Sequence, residues 1–119
     1  MPIINVTDSS MFEKSIKSRK NVLCLYYWNK CGHCIAFAPL WNYIASQYKD
    51  KMLILNVESQ VSSQLQPKYK YMSFPTLIVF KNGEKYAEFI GDRNEKNLHN
   101  FIKKHMIPES KPKKSNLKK

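Results

Sequence analysis

Cys31 and Cys34 enclose Gly32 and His33 in the run Asn29-Lys30-Cys31-Gly32-His33-Cys34. A Cys-x-x-Cys pair is a minimal device for thiol–disulfide exchange. One thiolate attacks a substrate disulfide, and the second thiol closes onto the mixed disulfide and releases the product. The flanking sequence says where the pair sits. Val22 to Trp28 is a nearly unbroken apolar and aromatic run, which reads as a strand buried on both faces. Ile35, Phe37, Ala38, Trp41, Ile44, Ala45 and Tyr48 then recur at helical spacing. Cys31 therefore falls at a helix N-terminus, where free N–H groups and the positive end of the dipole favour a thiolate. Cys34 lies one turn along the same face, so the two sulfurs can meet. Gly32 lets a substrate backbone approach closely. His33, beside both sulfurs, favours thiolate over disulfide as a cation or polarised donor.

A Cys-x-x-Cys can also be half of a zinc site. Zinc needs a second such pair or a Cys/His pair, and the other candidates are poorly placed. His99 and His105 stand six apart on a predicted helix, and Cys24 lies inside the apolar run. No metal is expected, and Cys24 reads as a small core residue.

The elements needed to hold the pair can be read in order. Ile3 to Val6 is a short strand, and a helix follows to about Arg19, opened by a capping box of Ser10 and Glu13. Met52 to Val57 is a second buried strand. Residues 59–70 are polar and hold at most a short helix, broken or started by Pro67. Thr76 to Phe80 is a strand, Asn82-Gly83 signals a hairpin, and Lys85 to Ile90 returns as its partner. Asn94 to His105 is a final helix with Leu98, Phe101 and Ile102 inward. The order predicts a mixed α/β sheet with helices on both faces. Pro39 interrupts the helix after the cysteines and predicts a kink.

The chain has 119 residues, one domain's worth. We expect a domain over residues 1–107, followed by a disordered basic tail over 108–119, PESKPKKSNLKK. Net charge is +11, and Lys supplies all but two of the 20 basic residues. Nucleic-acid readers favour Arg for bidentate contacts, so nucleic acid is a disfavoured partner. No apolar run approaches the ~18 residues of a membrane span.

CGHC followed by Ile-Ala-Phe-Ala-Pro39, then Ser73-Phe74-Pro75-Thr76 and Gly91-Asp92-Arg93, resembles the thioredoxin superfamily over about residues 3–106. The Gly-His pair is similar to that of protein disulfide isomerase catalytic domains; thioredoxins usually carry Gly-Pro. The segment from Phe89 to Lys104 is similar to isomerases as well. The resemblance implies a thioredoxin fold, with Cys31 as the attacking thiol and Cys34 as the resolving one. It implies a cis-proline at Pro75, a form found in only about 5% of X-Pro bonds. Phe74 would pair its backbone with an extended substrate segment. Arg93 matches an arginine that swings toward the resolving cysteine.

Three positions depart from the family. The buried acid six residues before the first cysteine is Leu25. The lysine that often partners it, on the next strand, aligns nearest to Ile54. The tryptophan before the first cysteine is Lys30. The proton relay is thus missing or replaced, and Lys30 sets a cation beside Cys31 that lowers its pKa. Trp28 is read as a core side chain.

The expected function is thiol–disulfide exchange on proteins, of disulfide isomerase or oxidase type. A thioredoxin-type reductant and a binding module with little turnover are the alternatives. No cofactor is implied. Expected partners are proteins bearing thiols or disulfides, and a redox partner that recharges the pair; the protein itself is expected to be a monomer. No leader or retention signal is visible, so a cytoplasmic enzyme, including a virus-encoded one, is favoured over a secretory one.

Overall fold

The computed structural model describes residues 3–106. The expected basic tail lies outside them. Strands β1 (Ile3–Asn5), β2 (Asn21–Tyr27), β3 (Leu53–Glu58), β4 (Thr76–Lys81) and β5 (Glu84–Glu88) form one sheet in the order β1-β3-β2-β4-β5. β1 and β2 run parallel to β3, while β4 is antiparallel to both β2 and β5. Helices α1 (Ser9–Ser18), α2 (Gly32–Tyr48) and the single turn α3 (Ser59–Ser62) connect them, with a 3₁₀ turn at Pro67–Tyr69, and α4 (Glu95–His105) follows β5. The polar stretch 59–70 thus holds two short turns, and Pro67 starts the second.

Strand β2 is central, and its side chains alternate between two apolar cores. Val22, Cys24 and Tyr26 join Phe12 and Ile16 of α1 and Tyr69 on one face. Leu23 and Leu25 join Phe37, Trp41, Ile44, Leu98 and Ile102 of α2 and α4 on the other. This is why the run read as an unbroken apolar block: both faces of the strand are covered. Cys24 is a fully buried core residue, and burial pushes its thiol pKa up.

Helix α1 opens differently from the expected capping box. Asp8 is extended, and its carboxylate accepts the Met11 N–H at 2.8 Å. Ser10 is already inside the first turn, and the Glu13 carboxylate accepts from Gln66 instead, at 2.7 Å. The hairpin between β4 and β5 turns at Asn82 and Gly83, with φ of 54° and 82°. Two successive positive φ values are what a tight primed turn needs, and Asn-Gly supplies them at low cost. Strand β5 stops at Glu88, so Ile90 leaves the sheet and is 80% exposed. Helix α2 runs through Pro39 as one element. Among the described residues no helix is long and apolar enough to cross a membrane.

Candidate active site

The sheet topology brings two loops together. Parallel strands β3 and β2 end on the same side, and α2 starts just beyond the end of β2. Strand β4 runs the opposite way beside β2, with Tyr26 opposite Thr76. The loop ending at Pro75 therefore lies against the turn that carries the cysteines. Cys31 Sγ is 3.6 Å from the Phe74 carbonyl oxygen, and the Phe74–Pro75 peptide bond is cis.

Cys31 is the N-cap of α2. Its N–H bonds the Trp28 carbonyl at 3.1 Å, closing the turn, and its sulfur accepts the Cys34 N–H at 3.4 Å. The Cys34 thiol is the largest influence holding the Cys31 pKa below the ordinary thiol value. The backbone N–H groups of Cys34 and His33 add to it, and Arg93 adds a favourable charge. Cys34 behaves oppositely. Burial pushes its pKa up to about 11, and the Cys31 sulfur adds to the rise. A half-buried thiol with a lowered pKa thus sits over a buried one with a raised pKa, and both cysteines are free.

His33 is exposed, and its backbone N–H helps lower the Cys31 pKa. Arg93 is a cation that lowers it as well, and Lys30 is exposed on the turn. The Arg93 guanidinium lies over the Phe37 ring, 5.9 Å from its centre. Arg93, Phe37, Pro75, Ile90 and Gly91 face a common cavity of about 150 Å³. Trp28 is no core residue: β2 ends at Tyr27, and the turn closed by Cys31 leaves the indole 43% exposed. Ile35, one position past Cys34, also turns outward and is 62% exposed.

The register corrects a further expectation. The residue cross-strand from Leu25 is Asn56, whereas Ile54 pairs with Leu23 and is fully buried. Asn56 Oδ1 accepts the Trp41 indole N–H at 2.8 Å, and its amide nitrogen donates to Asn5 at 2.9 Å. Leu25, Asn56, Trp41 and Cys34 line a cavity of about 190 Å³. Asn56 was the residue missed by sequence reading. Its one signal is a lone amide in the apolar run Met52 to Val57.

A sequence profile for the family described as Thioredoxin matches residues 3–104. A thioredoxin of Staphylococcus saprophyticus is 36% identical over 106 residues, which is 89% of this chain and all of the relative. The solution structure of oxidised thioredoxin from Plasmodium falciparum superposes with a TM-score of 0.74 at 28% identity, over 88% of this chain and 99% of that one. A crystal structure of the J-Trx1 fragment of ERdj5 gives a TM-score of 0.76 at 25% identity. It covers 87% of this chain, which spans only 51% of that fragment. With the five-stranded mixed sheet, the Cys-x-x-Cys turn beyond the end of its central strand and a profile match over most of its length, the chain belongs to the thioredoxin family of thiol–disulfide oxidoreductases.

Proposed function

We propose that the chain reduces protein disulfides as a thioredoxin-type reductant, with Cys31 as nucleophile and Cys34 as resolving thiol. The observation that carries the reading is the asymmetry of the pair. Cys31 is accessible with a lowered pKa, and Cys34 is buried with a raised one. The Cys31 thiolate attacks a substrate disulfide and forms a mixed disulfide. Cys34, once deprotonated, attacks Cys31 Sγ. The substrate leaves with two electrons as a dithiol, and the protein is left with a Cys31–Cys34 disulfide. A separate redox partner then returns the pair to the dithiol. The Phe74 carbonyl, which the Cys31 thiol contacts at 3.6 Å, becomes an acceptor for an extended substrate backbone laid along the Phe74–Pro75 segment once Cys31 ionises.

The direction of net flow rests on the relatives. The thioredoxins of Staphylococcus saprophyticus and Plasmodium falciparum are matched over nearly their whole length. A disulfide isomerase or oxidase reading is the second one. His33 in place of the usual proline favours it, as does Arg93, whose charge stabilises the reduced, thiolate form. Likeness to the ERdj5 fragment is compatible with either.

Equilibrium titration of the pair in glutathione buffers separates the two. Thioredoxins poise near about −270 mV and protein disulfide isomerase near about −180 mV. A value close to the former supports the reductant, and a value close to the latter transfers the assignment to the isomerase class. Insulin reduction driven by dithiothreitol tests turnover itself. A chain that fails there, with its cysteines intact, is a binding module.

A further inference from the structure

Resolution requires that Cys34 lose a proton, and the thiol is buried beside the 190 Å³ cavity. The cavity's floor is Leu25, Trp41 and Cys34, all buried; its rim includes half-buried Tyr27 and Asn56 and exposed Asn42, so it reaches solvent. Its walls offer no group able to accept that proton near neutrality. Leu25 and Ala38 are hydrocarbon, and Asn42 and Asn56 are amides. The Trp41 N–H is already given to Asn56. The Tyr27 hydroxyl is raised above its ordinary value, by burial and by Glu58 beside it. Glu58 is itself engaged: its carboxylate accepts the Gln60 N–H at 2.7 Å and the Ser59 hydroxyl at 2.9 Å. Of the ionisable groups that act on Cys34, Cys31 is bonded to substrate at this stage and Arg93 stays protonated. The volume is several times the roughly 30 Å³ a water occupies in the liquid.

We propose that this cavity is an open base site: a small dissolved Brønsted base, a carboxylate or an imidazole, enters it and takes the proton from Cys34 Sγ. Water fills the cavity otherwise and serves as a poorer acceptor. The base leaves as its conjugate acid, and the Cys34 thiolate attacks Cys31 Sγ. The Cys31–Cys34 bond forms as the Cys31–substrate bond breaks, and the departing substrate thiolate is reprotonated by the conjugate acid or by solvent. No further oxidant or reductant enters. The inference rests on the roles of Cys31 and Cys34 proposed above.

The test uses the full chain, reduced, against an aromatic disulfide whose two thiolates absorb light on release. The first release reports attack by Cys31 and the second reports resolution by Cys34. Acetate or imidazole is raised at constant pH and ionic strength. The second phase should accelerate several-fold, in proportion to free base, while the first stays constant. A bulky sulfonate-bearing amine of similar basicity should leave the second phase unchanged. Leu25→Glu should speed the second phase and make it insensitive to added base. Ala38→Leu, which fills the cavity from the helix side, should slow the phase and abolish the response. A wild-type second phase indifferent to acetate and imidazole, or equally responsive to the bulky amine, overturns the base site alone. Absence of the first release overturns the Cys31 role, and the base site with it.

Discussion

Cys31 Sγ and the Phe74 carbonyl oxygen face each other at 3.6 Å, although 43 residues separate them in the chain. The pairing follows from antiparallel β2 and β4, which set the end of one beside the start of the other. In the thiol form Cys31 can donate to that oxygen. Once the thiolate forms, sulfur and oxygen are both acceptors and share no proton. The carbonyl is then left for the backbone N–H of an incoming strand, so ionisation of the nucleophile and readiness of the docking segment arise together.

The two cysteines should titrate far apart. Alkylation with iodoacetamide against pH should give a Cys31 midpoint below 9.0, an ordinary thiol value, and modification of Cys34 only as pH approaches about 11. The sign follows from the groups around each sulfur. Donors and Arg93 lower the first, and burial raises the second. A Cys31 midpoint at or above 9.0 contradicts this.

Arg93→Gln should raise the Cys31 midpoint, because it removes a cation that acts on that sulfur and keeps a side chain of similar reach. His33→Ala should leave the midpoint nearly unmoved, since the backbone N–H that acts on Cys31 survives the change. The same alkylation profile reads both. A large upward move in His33→Ala would return the effect to the imidazole.

Asn56→Ala should destabilise the reduced protein by roughly 1–3 kcal/mol, the cost of stranding the buried Trp41 N–H without its acceptor. Urea unfolding should show a lower midpoint at an unchanged slope. Asn56→Asp keeps an acceptor for the indole, and should recover part of the loss at neutral pH. A stability equal to wild type in Asn56→Ala would mean the indole finds another partner.

Asp8→Ala should cost about 1 kcal/mol through loss of the α1 cap, while Ser10→Ala should stay within about 0.5 kcal/mol of wild type. Paired urea titrations decide between the two caps. The reverse order of effects would restore the Ser10–Glu13 box.

What was legible in the chain was local chemistry. The strand–CGHC–helix succession marks the site because a buried strand, a polar turn and a 3.6-residue apolar repeat are each written within about ten neighbouring residues. The Asn82-Gly83 turn was readable for the same reason: positive φ is a property of those residues themselves. Choices among near-equal local options were settled in three dimensions. Asp8 and Ser10 can each cap a helix, and the extended backbone at Asp8 selects it. Trp28 is apolar enough to continue β2, but the Cys31 N–H bonds its carbonyl, ends the strand at Tyr27 and leaves the ring outside. Ile54 and Asn56 lie on the same face of β3, two residues apart, so either could have stood opposite Leu25. Only the register with β2 chooses between them. That register is set jointly by β1, β2 and the two apolar cores, because sliding a strand by two keeps its faces but changes every neighbour. For this reason the amide that borders the resolving cysteine's cavity became visible only once the sheet was assembled.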